Sequence, residues 1–172
     1  MNPIFLFPTE LEARAFRELC PDAEVVISGV GMAQTAAAIA QISAKLNLAE
    51  RVVILAGIAG CYEHRCEVGE VVEVVSEVES ELPERFRKEY SIEAFTDLRL
   101  VDSNTVTRCN ADSCGADIEN MEGAALFAMA EVLGFRAVEI RAVSNIVGDD
   151  FAKWNIALAT ENLAKILKRY AK

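Results

Sequence analysis

The chain has 172 residues, of which 52% are hydrophobic and 26% charged, a composition typical of a globular protein with one sizeable core. Lysine and arginine number 17 against 27 aspartate and glutamate, so the formal net charge is −10. That balance argues against nucleic acids and anionic membranes as partners, because both are bound by basic surfaces. We expect a single domain over residues 1–172 whose partner is a small molecule.

The N-terminal sequence MNPIFLFP is a short apolar run without a preceding basic residue, which predicts a first strand and not a signal peptide. No apolar run approaches the roughly 18 residues of a membrane span, so a cytoplasmic location is expected. Five cysteines, an odd number in a chain without an export signal, favour free thiols. His64 lies between Cys61 and Cys66, but the spacing of structural zinc motifs is absent and we expect no metal site.

Strand and helix signals alternate along the chain. Short apolar or β-branched runs predict strands at residues 4–7, 25–28, 52–56, 68–78, 98–101, 105–107 and 137–143. Helical spacing predicts helices from Thr9 to Pro21 and at residues 33–48, 121–133 and 155–170. The segments between them, at residues 57–60, 79–97, 110–120 and 144–150, are predicted to be loops. In the first helix Leu11, Ala15 and Leu19 are expected to face inward.

This alternation predicts an α/β fold, with a mixed, mainly parallel sheet flanked by helices. In such sheets ligands bind beyond the carboxyl ends of the strands. Three predicted loops lie there, at residues 29–31, 57–60 and 144–150. The first carries only half of a dinucleotide fingerprint, and the second lacks the lysine and the serine or threonine of a P-loop. Both loops are compatible with backbone contacts to a ligand and equally with tight turns.

Three polar residues near these loops are candidate site residues. Glu12 follows Thr9 at capping-box spacing, so it either serves its own helix or faces a ligand. Glu122 precedes an apolar helix, where a carboxylate is costly unless it has hydrogen-bond donors, and it suits two vicinal hydroxyls. Asn145 ends a strand and offers a donor and an acceptor side by side, which suits a purine edge as well as a simple turn.

The motifs ENMEGAA at residues 119–125, IRAVSN at 140–145 and WNI at 154–156 resemble the futalosine hydrolase branch of the nucleoside phosphorylase and nucleosidase superfamily. ISGVG at residues 27–31, AGIAG at 56–60 and VGEVV at 68–72 match the first half of the same family in the same order. The resemblance covers nearly the whole chain. It implies a nucleoside phosphorylase-like fold and a single nucleosidase-type catalytic domain without a cofactor.

The resemblance also implies roles for individual residues. Glu12 is similar to the glutamate that activates the attacking water, and Glu122 to the carboxylate that holds the ribose hydroxyls. Asn145 stands where methylthioadenosine nucleosidases carry an aspartate that protonates purine N7. The remaining implied positions line the sugar and base and are Met121, Ile58, Ala59, Gly60 and Val106. Because the glycine loops lack the arginines that hold phosphate in phosphorylases, water is the expected nucleophile.

The resemblance implies hydrolysis of the N-glycosidic bond of futalosine or 6-aminofutalosine, releasing hypoxanthine or adenine, in menaquinone biosynthesis. Breaking this bond builds positive charge on the ribose and negative charge on the purine, which a carboxylate and a hydrogen-bond donor stabilise. Two alternatives are a methylthioadenosine/S-adenosylhomocysteine nucleosidase and an inactive nucleoside-binding protein. The second arises because residues 79–97 and the loop before Glu122 look shortened. Members of the family pair as dimers, so a homodimer or higher homo-oligomer is expected.

Overall fold

The computed structural model describes residues 2–63, 65–109 and 112–171, which form an eight-stranded sheet with helices against its faces. The strands are β1 Pro3–Phe7, β2 Glu24–Ile27, β3 Val52–Cys61, β4 Val71–Glu79, β5 Glu89–Ser91, β6 Arg99–Thr105, β7 Ile118–Asn120 and β8 Arg136–Ile146. The helices are α1 Glu10–Leu19, α2 Met32–Ser43, α3 Gly123–Leu133 and α4 Ile156–Leu167. Short 3-10 turns cover Leu48–Glu50, Glu84–Phe86 and Phe151–Lys153.

The apolar strands β1, β3 and β8 are buried on both faces because helices cover each side of the sheet. On one face Phe5 and Phe7 of β1 pack with Phe16 of α1 and with α4. On the other face Ile4 and Leu6 pack with α2 and α3. Alternate residues of one short strand therefore belong to two separate cores, as the period of two in a strand requires.

Strand pairing confirms a mixed, mainly parallel sheet. Among the described residues the pairs β1–β2, β1–β3, β3–β8, β4–β6 and β6–β7 are parallel, whereas β3–β7, β4–β5 and β4–β8 are antiparallel. Strands β3, β7, β6, β4 and β8 pair in a closed ring, which the sequence pattern did not predict. A third apolar cluster that includes Val72, Ile118 and Val143 draws its buried residues from this ring, apart from Cys66 in the loop between β3 and β4.

The predicted loops at residues 57–60 and 144–150 were wrong in part. β3 continues through Gly60 to Cys61, and β8 continues to Ile146. The two short strands predicted at 98–101 and 105–107 are the single strand β6, and β7 lies within the predicted loop 110–120, of which residues 110 and 111 lie outside the described residues. The glycines of this stretch are extended because they pair with neighbouring strands, Gly57 with β8 and Gly60 with both β7 and β8.

The predicted inward face of the first helix was wrong for two of its three residues, since only Ala15 packs against the core. Leu11 and Leu19 are 52% and 42% exposed, whereas Ala13 and Phe16 are buried. The ring of Phe16 lies with its centroid 4.5 Å from that of Phe5, which rotates the buried face of α1 toward Ala13 and turns Leu11 outward. The second helix ends at Ser43 and not at residue 48. Within the described part of the chain, the helices all lack the length and apolarity of a bilayer crossing.

Candidate active site

A cavity of about 310 Å³ lies where β1, β3, β7 and β8 end beside the start of α3. Its size is at the lower end of the range for small-molecule sites. The wall contains all the residues that the sequence assigned to the site, namely Glu12, Ile58, Ala59, Gly60, Val106, Met121, Glu122 and Asn145. The further lining residues are Pro8, Thr9, Leu11, Val30, Cys109, Glu119, Asn120, Ser144, Phe151, Trp154 and Ile156.

Glu12 is buried and faces the cavity, although it lies in the first turn of α1. Thr9 caps the helix, with its hydroxyl accepting from the Glu12 N–H at 3.2 Å. The Glu12 carboxylate accepts hydrogen bonds from the Thr9 hydroxyl at 2.6 Å and from the Ile58 N–H at 3.0 Å. Burial raises the pKa of Glu12, and these two hydrogen bonds oppose the shift. The capping interpretation thus applies to Thr9, while the Glu12 side chain faces the cavity.

Glu122 precedes α3 and lines the same cavity as Glu12. Its Oε1 atom accepts from the Gly31 N–H at 2.9 Å, and its Oε2 atom lies 3.2 Å from Arg141 Nη2. Gly31 adopts a φ of +90°, a backbone conformation that favours glycine. The glycine loop at residues 29–31 therefore contributes a backbone donor to a side chain of the cavity wall.

Arg141 is the central charge of the site, and the sequence analysis did not single it out. Its guanidinium is fully buried in β8 and donates to Glu139 at 2.7 Å and to Asn120 at 2.9 Å, besides contacting Glu122. The signal was present in the sequence, because two charged residues interrupt the apolar strand at positions 139 and 141. Buried charges of this kind are rare unless paired, so they mark a network.

The sequence analysis also missed two further carboxyl groups, which lie near Arg141. Glu77 and Glu139 are both buried against Gly123, where an added Cβ would lie only 2.5 Å from Glu139 Oε2. Burial and the nearby Glu139 charge raise the pKa of Glu77 well above its ordinary value, which favours its protonated form. Burial also raises the pKa of Glu139, but the Arg141 guanidinium opposes that shift and favours the ionised form of Glu139.

Asn145 reaches the cavity through an irregularity in β8. Ala59 of β3 pairs with Val143 and Gly60 pairs with Asn145, so Ser144 is the extra residue of a β-bulge. The Asn145 carboxamide accepts from the Ser144 hydroxyl at 2.7 Å and donates to the Ile146 carbonyl at 3.1 Å. The bulge and these two hydrogen bonds fix the side chain on the face of Gly60.

Glu119 is a third buried carboxylate on the wall and pairs with Gly60 of β3. The Tyr62 hydroxyl donates to Glu119 Oε2 at 2.8 Å. Burial raises the pKa of Tyr62, so its phenol stays a donor over the physiological range. The sequence analysis quoted Glu119 within a motif and gave it no role.

The entrance of the cavity is apolar and exposed. Leu11, Val30 and Phe151 line the cavity and are 52%, 49% and 70% exposed. Trp154 lies beside Phe151, with ring centroids 5.2 Å apart, and its indole donates to the Asp149 carbonyl at 3.3 Å. The WNI motif at residues 154–156 thereby forms part of the cavity wall.

The described residues contain no group of three or more His, Cys, Asp or Glu side chains that could hold a metal ion. His64, considered above as a metal ligand, lies outside the described residues.

Comparison with known proteins identifies relatives over the whole chain. The model of the phosphorylase superfamily matches residues 92–172. A futalosine hydrolase of Thermus thermophilus is 30% identical over 212 aligned positions, covering 96% of this chain and 93% of that protein. Because these 212 positions exceed the 172 residues of the chain, the relative carries residues that this chain lacks.

Solved structures of nucleosidases share the fold. The S-adenosylhomocysteine nucleosidase of Streptococcus pyogenes, in complex with 5-methylthiotubericidin, has a TM-score of 0.82 at 18% identity, covering 99% of this chain and 95% of that one. The 5′-methylthioadenosine nucleosidase of Arabidopsis thaliana in apo form has a TM-score of 0.79 at 18% identity, covering 98% and 93%. The fold of this chain is thus that of these nucleosidase structures.

The similarity to the Thermus protein extends over nearly the entire chain and assigns a narrower family than the fold alone. The chain belongs to the futalosine hydrolase family of the phosphorylase superfamily.

Proposed function

We propose that this protein hydrolyses the N-glycosidic bond of futalosine or 6-aminofutalosine and releases hypoxanthine or adenine. One observation carries the proposal: the buried carboxylates of Glu12 and Glu122 face one cavity, with the guanidinium of Arg141 beside them. A carboxylate that activates water and a second that holds a ribose are what this reaction requires. The 30% identity to a futalosine hydrolase supports this substrate class.

Different residues of the cavity act on the water, the ribose and the purine. Glu12 orients a water molecule and accepts its proton, the water oxygen bonds to C1′ of the ribose, and the C1′–N9 electron pair leaves with the purine. Glu122 accepts hydrogen bonds from the ribose hydroxyls above Met121. Asn145 donates a hydrogen bond to the departing base and stabilises its negative charge without releasing a proton. The leaving base takes up its proton from solvent.

Water, and not phosphate, is the proposed nucleophile. Among the described residues that line the cavity, none is a lysine or an arginine. The guanidinium of Arg141 is fully buried and already paired with Glu139 and Glu122. A phosphate ion would meet carboxylates without a compensating cation, which is unfavourable at these short distances.

We further propose that the protein acts in the cytoplasm within menaquinone biosynthesis, as a homodimer. The dimer is supported by the exposed side chains of Leu11, Val30 and Phe151 around the entrance, because contiguous apolar surface marks association sites. A second subunit against this entrance would also shield the cavity from bulk water.

The test is incubation of the purified protein with futalosine, 6-aminofutalosine and 5′-methylthioadenosine in separate reactions, with chromatography of the free base. We expect base from futalosine or 6-aminofutalosine. Base from methylthioadenosine alone would instead assign the methylthioadenosine/S-adenosylhomocysteine nucleosidase activity. No base from any substrate, together with thermal stabilisation by them, would indicate a nucleoside-binding protein.

Glu12→Gln separates catalysis from binding. We expect kcat to fall by roughly 10² to 10⁴, the usual contribution of a general base, with substrate affinity largely retained. Glu10→Gln is the matched control, because Glu10 lies in the same helical turn, is exposed and does not line the cavity. Equal activity of the Glu12 and Glu10 variants would refute the role of Glu12.

A further inference from the structure

Glu77 and Glu139 form a pair of buried carboxyl groups beside Gly123, the first residue of α3, and the proposed reaction uses neither. A Cβ at Gly123 would lie 2.5 Å from Glu139 Oε2 and no farther from Glu77 Oε2. Two atoms that approach one point so closely are neighbours, so one oxygen of each carboxyl group faces the other. The glycine leaves room for both because it has no side chain.

The other contacts of the two groups differ in charge. Glu139 Oε1 accepts from Arg141 Nε at 2.7 Å. Glu77 Oε1 accepts from the Thr105 hydroxyl at 2.8 Å, and its Oε2 atom accepts from the Asn120 carboxamide at 3.0 Å. A cation therefore pairs directly with Glu139, whereas Glu77 accepts from two neutral donors. This difference favours the ionised form at Glu139 and the protonated form at Glu77.

The facing oxygens need a proton between them. Glu139 Oε2 is fully buried and has no hydrogen bond from the donors of the described residues, which is costly unless a proton reaches it. Two ionised carboxylates are both acceptors, whereas a protonated carboxyl group donates one O–H. Burial and the Glu139 charge raise the pKa of Glu77 well above its ordinary value. Burial also raises the pKa of Glu139, and hydrogen bonds with Arg141 and Glu77 oppose that shift.

We propose that Glu77 is a neutral acid that donates its O–H to ionised Glu139, and that this pair positions Arg141. The guanidinium then lies between two carboxylates, with Nε on Glu139 and Nη2 3.2 Å from Glu122 Oε2. An ionised Glu77 would add an anion without a cation of its own and would draw the guanidinium away from Glu122. Glu77 and Glu139 are positioning residues, and the inference rests on the proposed function for the role of Glu122 in holding the ribose.

Infrared spectroscopy detects this proton without turnover, because a protonated carboxyl group has a C=O stretching band apart from those of ionised carboxylates. We expect such a band in the wild type at neutral pH and its loss in Glu77→Gln. In Glu139→Gln the band should shift or disappear, because the Glu77 O–H loses its ionised acceptor. Glu131→Gln is the matched control and should leave the band unchanged, since Glu131 is exposed on α3, pairs with Lys88 and does not line the cavity.

The same substitution at the two carboxyl groups should have unequal effects on turnover. Glu77→Gln keeps a neutral side chain with a donor for Glu139 and loses one hydrogen bond from Asn120, so kcat/KM should stay within about fivefold of the wild type. Glu139→Gln removes one partner of a buried ion pair, and Arg141 then no longer holds Glu122 in place. KM for the nucleoside should rise and kcat/KM should fall by about a hundredfold or more. Equal losses, or a greater loss in Glu77→Gln, would overturn the inference.

Near-ultraviolet circular dichroism establishes that each variant is folded. If Glu77→Gln or Glu139→Gln does not fold, nuclear magnetic resonance of the wild type with 13C-labelled glutamate carboxyls carries the same test. A protonated carboxyl carbon resonates upfield of an ionised one, so the assigned resonance of Glu77 should lie upfield of that of Glu139 at neutral pH. The reverse order, or two ionised groups, would contradict the proposal.

The outcomes separate this inference from the proposed function. Release of base by a wild type whose infrared band is absent, or is unchanged in a folded Glu77→Gln, overturns the inference and leaves the function standing. No release of base, together with a band that depends on Glu77, upholds the proton on Glu77 and refutes the proposed hydrolase.

Discussion

Thr9 contacts Glu12 twice, once through the helix cap and once through the carboxylate. Its hydroxyl accepts from the Glu12 N–H and donates to Glu12 Oε2. Donation to the ionised form lowers the pKa of Glu12, while burial is the larger effect and raises it above its ordinary value. One hydroxyl therefore keeps a buried carboxylate ionised over a wider range of pH than burial alone would allow.

Thr9→Ala should shift the acidic side of the pH profile of kcat/KM to higher pH. In the proposed reaction ionised Glu12 accepts the proton of water, so activity should be lost as pH falls through the pKa of Glu12. Removing the donor raises that pKa further, and the loss then begins at a higher pH. The helix also loses its cap, at a cost of about 1 kcal/mol, so the profiles are measured well below the unfolding temperature.

Thr9→Ser is the control for this prediction, because serine keeps a hydroxyl at the same place. Its acidic limb should coincide with that of the wild type. An unchanged limb in Thr9→Ala would mean that another group governs the pH dependence.

Within the single strand β3, Gly57 lies next to two opposite charges of the site, those of Glu12 and Arg141. A Cβ at Gly57 would lie 2.7 Å from Arg141 Nη1 and 2.8 Å from Glu12 Oε1. Both groups are held by other contacts, Glu12 by Thr9 and Arg141 by Glu139. The strand can pass this close to them only without a side chain, which explains a glycine within an otherwise apolar strand.

Gly57→Ala should therefore reduce kcat by about 10² or more, because a displacement of about 1 Å in reacting groups has that effect. It should also lower the free energy of unfolding, measured by urea denaturation, because it strains a buried charge network. Gly60→Ala is the comparison for stability within the same strand, since its nearest contact would be 3.1 Å and involves the tip of Val147; because Gly60 lines the cavity, it is not a control for kcat. A Gly57 variant as active and as stable as the wild type would show that Glu12 and Arg141 have more freedom than their contacts imply.

The same strand shows what the sequence could and could not predict. The apolar run at residues 52–56 identified β3 and its burial, because composition and length suffice for a central strand. The sequence predicts a loop at residues 57–60, because a glycine-rich stretch has the same composition whether it turns or pairs within a sheet. The ring of β3, β7, β6, β4 and β8 depends on pairing between distant residues, which local periodicity does not encode.

For the site as well, the sequence predicted some of the residues and missed others. Motif matching placed Glu12, Glu122 and Asn145, and the cavity brings all three together. Arg141 and Glu119 were missed as site residues, because each lies in a strand and its contacts with the cavity wall involve neighbours far away in sequence. Arg141 contacts Glu122 and Ile58, and Glu119 contacts Tyr62.

At the scale of the whole molecule, the excess of acidic residues extends into the interior. The buried carboxyl groups around the cavity are Glu12, Glu77, Glu119, Glu122 and Glu139, and the buried guanidinium among them is that of Arg141. Buried carboxyl groups are stable only when they are protonated or accept hydrogen bonds from donors, and the structure shows both. The raised pKa of Glu77 favours a proton there, and Gly31, Ile58 and Tyr62 supply donors to the others.

The surface at the cavity entrance is apolar, in contrast to the acidic interior. From this apolar surface we predict a dimer. Light scattering coupled to gel filtration should give about twice the 18.8 kDa of the chain at micromolar concentration. Phe151→Asp places a charge in the apolar entrance and should shift the mass toward that of one chain.

Val132→Asp is the matched control for the dimer. Val132 is 80% exposed on α3 and does not line the cavity, so the same change there should leave the mass at that of the dimer. A wild type of 18.8 kDa would refute the dimer, and equal dissociation of the two variants would place the interface elsewhere. If Phe151→Asp dissociates the dimer and also weakens substrate binding, the entrance formed by Leu11, Val30 and Phe151 is both the subunit interface and the rim of the active site.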